Sequence, residues 1–307
     1  MNQQQAQLLD NFQGFHIEVT NICTLKCSGC ARTRFIEEWP QHWKNHSIDP
    51  ETLFKFIDVP VDNLRITLCG NYGDSIYHPR FHQLVAGLKQ RGAVLHIITN
   101  GSYRTETWWQ QLCSLLTAVD IVGFSVDGVP DNFTQYRVNA DWDSIEIGMR
   151  VCAAASCQTE WRYIPFSYNQ HSIDQAKQLS QSLGIDQFVI TLSSRFDQRT
   201  EHLKPVDDLL QNRYSRQVTW KNTQQSNGVD PDCADHRKHY ISADGYYMPC
   251  CFVGDHRFLY KTPWGKQREQ FNINNATFSE MLVSDTTVKF NQDLSVHSVC
   301  QFSCPGT

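Results

Sequence analysis

The sequence has no long apolar run: its uninterrupted hydrophobic stretches are all short, so no bilayer-spanning helix is expected. The first residues, Met-Asn-Gln-Gln-Gln-Ala-Gln, have neither the basic region nor the apolar core of a signal peptide. A cytoplasmic protein with no membrane partner is the expectation. Basic runs of five or more residues are missing too, and the formal net charge is -5, so the chain shows no electrostatic footprint for nucleic acid. What is plentiful is cysteine. Twelve thiols in 307 residues would suggest disulfides in a small secreted chain, but in a large cytoplasmic one they point to metal or catalysis.

Seven of the twelve fall into two groups. Cys23, Cys27 and Cys30 lie within eight residues, directly after the strand-like run Phe15 to Val19, so one loop leaving a strand carries all three. No fourth cysteine is near. A four-iron cluster normally takes four thiolates; three leave one iron open, which suits catalysis better than electron carriage alone. A zinc knuckle or part of a disulfide framework is the competing reading, although zinc sites usually pair C-x2-C with a second pair at short range.

From residue 15 to about 192, apolar strand-like runs alternate with amphipathic helical patterns, which predicts a parallel α/β sheet. Strands are expected near 15–20, 64–69, 93–98, 120–126, 159–164 and 186–192. Asp49-Pro50 caps a helix bearing Leu53, Phe56 and Ile57 on one face. Further stripes are Trp108, Leu112, Leu115 and Val119, then Ile145, Met149, Cys152 and Ala153, then Ile173, Ala176, Leu179 and Leu183 ending at Gly184. These are expected to be core, as are Cys69, Cys113 and Cys157; none of the twelve histidines is assigned a role.

Between about 195 and 231 the pattern weakens into polar sequence, which predicts a boundary. The expected organisation is a domain over 1–195, a linker over 196–230 and a smaller unit over 231–307. In that unit Asp244-Gly245 reads as a hairpin turn that would bring Cys233 and Cys250 together, and Cys300 and Cys304, after a helix starting near Thr277, could close a four-thiolate site. Iron–sulfur and structural zinc both fit four thiolates. Cys251 is an alternative ligand, a hydrogen-atom donor or a buried small hydrophobe.

Cys-x3-Cys-x2-Cys after a first strand resembles the signature of the radical S-adenosylmethionine (SAM) enzymes. The resemblance implies a partial (β/α)6 barrel followed by a small α+β cluster-binding domain, with reactive groups at the carboxyl ends of strands. It implies a [4Fe-4S] cluster on Cys23, Cys27 and Cys30 whose open iron binds SAM, fed by a low-potential donor of the flavodoxin or ferredoxin type. The segment Gly70-Asn-Tyr72-Gly73-Asp74 is similar to the family's Gly-Gly-Glu stretch beside the SAM amino group, with Asp74 where Glu is usual. Asn100, in Thr99-Asn-Gly101, and Ser125 and Asp127, in Phe124-Ser-Val-Asp-Gly128, resemble segments lining the SAM site. Both Ser125 and Asp127 can hydrogen-bond a ribose hydroxyl or a carboxylate. Arg137 is either a partner of the SAM carboxylate or a surface arginine.

The family's usual aromatic residue before the third cysteine is replaced by Gly29, which leaves Phe35 or Tyr72 as candidates to stack on adenine. The second cysteine group resembles the Twitch or SPASM extension in its one-cluster form, which implies an auxiliary [4Fe-4S] cluster on Cys233, Cys250, Cys300 and Cys304. The expected function is hydrogen abstraction from a peptide or a small polar metabolite; the alternative is a non-catalytic iron–sulfur or zinc-binding module.

Overall fold

The computed structural model of the chain describes residues 12–193, 196–206, 238–292 and 297–303. Strands β1 (Gly14–Ile17), β2 (Arg65–Leu68), β3 (Val94–Thr99), β4 (Ile121–Ser125), β5 (Gln158–Tyr163) and β6 (Gln187–Ile190) lie parallel and side by side in chain order. Parallel neighbours need long crossovers. These are supplied by helices α1 (Ala31–Glu38), α2 (Pro50–Phe56), α3 (Phe81–Gln90), α4 (Glu106–Cys113), α5 (Trp142–Ala153) and α6 (Ile173–Ser182). The sheet curves into an open barrel with the helices outside.

Local chemistry sets the helix ends. Asp49 accepts from the Thr52 amide at 2.9 Å with Pro50 at the first helical position, and Asp141 and Thr105 cap α5 and α4 in the same way. After α6, Gly184 turns the chain back at a φ of +79°. The core lies between sheet and helices. Phe15, Ile17, Ile66, Leu68, Leu95, Ile97, Phe124 and Trp161 point outward into it and are buried.

The stripe expected at Trp108, Leu112, Leu115 and Val119 is corrected. The helix ends at Cys113, Trp109 rather than Trp108 is the buried indole, and Val119 is exposed. Polar Thr117 and Asp120 end the pattern: the Asp120 carboxylate accepts from the Thr117 amide and hydroxyl and closes a turn there.

Beyond the polar stretch, β7 (Lys238–Ile241) and β8 (Tyr247–Met248) form the expected hairpin across Gly245, whose φ is +83°. This hairpin is not a sheet of its own. Strand β7 lies parallel to β1, with Gly14 opposite Lys238 and Ile17 opposite Ile241, so the barrel sheet runs on through β1 into β7 and β8. Among the described residues, five short helices follow: α7 (His256–Leu259), α8 (Pro263–Lys266), α9 (Phe278–Leu282), α10 (Asp285–Gln292) and α11 (Ser298–Ser303). Thr277 starts α9 with a capping box to Glu280. Phe278 packs against Phe12, Phe15, Phe56 and Tyr247, which joins this segment to the outside of β1. Among the described residues no helix is long and apolar enough to cross a membrane.

Candidate metal and cofactor centre

The loop after β1 carries Cys23, half-buried, Cys27, buried, and Cys30, half-buried at the start of α1. Its backbone is pinned from both sides: the Lys26 amide donates to Val138, Cys30 to Cys27, and Arg34 to Cys30. All three thiols are free. Burial pushes the Cys23 thiol up to about 12, helped by the nearby Asp74 carboxylate, and burial likewise raises Cys27 to about 12, with Arg137 opposing. Such thiols keep their protons until a metal displaces them.

Among the described residues no three thiol, imidazole or carboxylate groups stand close enough to share a single metal ion. Zinc at ~2.3 Å from each sulfur would need thiolates about 3.8 Å apart. A four-iron cube separates its thiolate ligands more widely, and three thiols on one loop match the donor set of a cube that keeps one iron open.

The strand ends meet over this loop. Asp74 is fully enclosed and binds protein on both oxygens. Its Oδ2 accepts from the Asn100 amide at 2.6 Å, the Asn100 side chain and the Thr99 hydroxyl at 3.1 Å, and its Oδ1 accepts from the Ile76 amide. Asp74 therefore braces β2 against β3 and aims Asn100, whose Nδ2 lies 3.7 Å from the Cys23 sulfur. Asp127 is equally enclosed. It accepts from Arg137 Nε at 2.7 Å and from the Ile164 amide at 2.8 Å, and burial raises its pKa. Arg137 is the half-buried partner of Asp127, its side chain 16% exposed, and lies close enough to Cys27 to oppose the rise of its thiol, so it is not a freely exposed surface arginine. Ser125 ends β4 half-buried on the inner face.

Gly29 faces Tyr136. A Cβ at Gly29 would stand 3.0 Å from the Tyr136 hydroxyl, so Tyr136 fills space beside the loop at this position. Phe35 and Tyr72, the two adenine candidates, share an aromatic group with Trp39, Trp43 and His256. That group borders a cavity of about 190 Å³ between α1, the Gly70 loop and the carboxyl-terminal segment. The Tyr72 hydroxyl accepts from the His256 amide at 2.9 Å.

Sequence reading missed Glu18. It directly follows β1 with 1% exposure, and its Oε1 accepts from the amides of Tyr72 (2.7 Å) and Gly73 (2.8 Å) while Oε2 accepts from the Tyr240 hydroxyl at 2.5 Å. Burial raises its pKa to about 7 against these three donors. The available signal was an acid closing an apolar strand. Gly70 and Gly73 are required by close approach: a Cβ would stand 2.5 Å from Glu18 Oε1 at the first and 2.0 Å from the Thr20 carbonyl at the second.

In the second group, Cys250 and Cys300 are buried and Cys251 is half-buried, its carbonyl held by Asn71 Nδ2 at 2.9 Å. Cys233 and Cys304 lie outside the described residues. Cys152 and Cys157 are core; Cys113 is half-buried with its sulfur 3.6 Å from that of Cys152, and Cys69 is also half-buried.

An open parallel barrel with three free thiols on the loop after its first strand, walled by polar strand ends, has the layout of a cluster-binding cofactor site. The model of the radical SAM superfamily matches residues 17–159, and that of the SPASM iron–sulfur cluster-binding domain matches residues 233–305, so the chain carries a radical SAM domain followed by a SPASM-type carboxyl-terminal domain. The first domain implies a four-iron cluster and SAM, the second auxiliary iron–sulfur.

A tungsten-containing aldehyde ferredoxin oxidoreductase cofactor-modifying protein of Pyrococcus furiosus is 32% identical over 119 residues, 38% of this chain and 31% of that protein. The chain thus matches about a third of that relative's length. Among solved structures, Streptococcus suis SuiB bound to its precursor peptide SuiA has a TM-score of 0.63 at 12% identity, over 97% of this chain and 72% of SuiB. BtrN in complex with AdoMet and 2-DOIA has a TM-score of 0.53 at 15% identity, over 96% and 94% of the two chains. These likenesses show the fold.

Proposed function

We propose that the protein reductively cleaves SAM to a 5′-deoxyadenosyl radical and uses it to abstract a hydrogen atom from a peptide or a small polar metabolite. The observation that carries this reading is the loop of Cys23, Cys27 and Cys30, three thiols without a fourth, set at the mouth of the barrel under Asn100 and Arg137. Cluster and SAM together supply the radical chemistry when bound. The chain's own residues do the positioning. The Gly70 to Gly73 loop, fixed by Glu18, presents backbone to the SAM amino group, with Tyr72 beside it. Asn100 and Ser125 offer short polar groups to SAM, while Asp74 and Asp127 with Arg137 hold those strand ends in place. The reductant is a flavodoxin or ferredoxin type protein, and Cys233, Cys250, Cys300 and Cys304 hold the auxiliary cluster.

The test replaces Cys23, Cys27 and Cys30 with alanine. After anaerobic reconstitution, dithionite and SAM should yield 5′-deoxyadenosine with the wild type and none with the variant. Undiminished product from the variant refutes the assignment.

A further inference from the structure

The inner face of the barrel carries a polar group that the SAM site does not use. Arg162 and Glu160 on β5 and His96 on β3 meet across β4: Arg162 Nη1 donates to Glu160 Oε2 at 2.9 Å, and His96 Nε2 lies 3.3 Å from the same oxygen. They meet because the strand between them has no side chain there. A Cβ at Gly123 would stand 3.1 Å from Arg162 Cδ and 3.5 Å from both Glu160 Oε2 and His96 Nε2. Parallel strands covered by helices normally read as continuous apolar runs. In Leu95-His96-Ile97 and Thr159-Glu160-Trp161-Arg162 the alternate residues are polar instead, and they are the ones facing the lumen.

The charges of this group decide what it can bind. Burial works against ionising Glu160, and the His96 and Arg162 groups beside it overcome that, leaving its pKa below the usual value. Its charge is matched by Arg162. A guanidinium has five N–H donors, and the Arg162 side chain remains 27% exposed after giving one to Glu160. The acids at this end of the barrel are committed: Glu18 to two amides and Tyr240, Asp74 to Asn100 and Thr99, Asp127 to Arg137. Arg162 also stands opposite Ser125 in the β4–β5 register, next to the place proposed for SAM.

We propose that Arg162, fixed in direction by Glu160 and His96, recognises a carboxylate on the substrate inside the barrel. The proposal rests on reading the lumen as the substrate cavity of a SAM-cleaving enzyme. The carboxylate comes either from a small free acid or from an acidic side chain in a peptide; both offer the planar pair of acceptors that a guanidinium fork matches.

The test is protection from chemical modification, read on the full-length, anaerobically reconstituted protein. Phenylglyoxal labelling of Arg162 is followed by mass spectrometry with SAM present, using exposed Arg257 as the internal reference. Succinate and the blocked peptide acetyl-Ala-Glu-Ala-amide are the two probes, and succinamide and the Gln peptide are their neutral counterparts. At about ten times its half-saturating concentration, an acid probe should slow labelling of Arg162 about tenfold and leave Arg257 unchanged, whereas the amides should protect neither. The acid that protects at the lower concentration identifies the source.

Equal protection by acid and amide, no protection by either acid, or an Arg162 that phenylglyoxal does not reach overturns the proposal. So does protection by SAM alone as complete as that with succinate, because Arg162 then belongs to the SAM site. Reductive SAM cleavage measured on the same preparation separates the two readings: its absence counts against the proposed function, while the labelling pattern reports on Arg162 alone.

Discussion

Glu18 should make the stability of this protein fall as pH rises through neutrality, and replacing it with glutamine should remove that dependence. The carboxyl is enclosed, and burial lifts its pKa from 4.5 to about 7. The folded state therefore holds a proton that the unfolded chain releases near pH 4.5. A carboxyl raised in this way contributes its full stability below the unfolded pKa and loses it as pH climbs to the folded one. A tenfold change in proton affinity corresponds to about 1.4 kcal/mol, so wild type should lose on the order of 2 kcal/mol relative to Glu18→Gln between about pH 5.5 and pH 7.5.

Glutamine suits the comparison because its carbonyl can still accept from the Tyr72 and Gly73 amides, and its amide can donate to the Tyr240 oxygen. Urea unfolding of both proteins across that range, under anaerobic conditions, gives the difference directly. A constant difference would show that the three donors around Glu18 outweigh its burial and that the group is ionised throughout.

Two further outcomes follow from the same geometry. Gly73→Ala places a methyl carbon 2.0 Å from the Thr20 carbonyl, so the loop must shift. SAM affinity by equilibrium dialysis should fall at least about tenfold, roughly 1.4 kcal/mol, and unchanged affinity would remove that loop from the site. In a Cys250→Ala/Cys304→Ala variant, iron per chain should fall while 5′-deoxyadenosine formation persists and turnover of substrate stops. Zinc in the wild-type site with iron unchanged in the variant would make the carboxyl-terminal site structural.

Much of the barrel was legible because its signals are local. Six strands read correctly from apolar runs bounded by caps and turns, since Asp49-Pro50 and Gly184 act within a few residues of themselves. The three-cysteine loop was legible for the same reason. The pairing of β7 with β1 was not: strand pattern says that a segment is extended and does not say which partner, more than two hundred residues away, it will take. Glu18 was missed because its role depends on amides at Tyr72 and Gly73 and a hydroxyl at Tyr240, three contacts set by tertiary structure. The Arg162, Glu160 and His96 group needed the absence of a side chain at Gly123, on a strand between them, to bring it together.

The position of β7 has a consequence for how the protein is made. Within the first six strands β1 is an edge, paired only with β2, and its other row of amides and carbonyls waits for Lys238 to Ile241. A ribosome reaches those residues only after the whole barrel has been synthesised. Unpaired edges are the vulnerable surfaces of a folding intermediate, and contacts this distant in sequence form late. The loop that leaves β1 with its three cysteines therefore stays flanked by an open edge on the nascent chain. That edge closes only when the last quarter of the chain arrives and Lys238 to Ile241 pair with it.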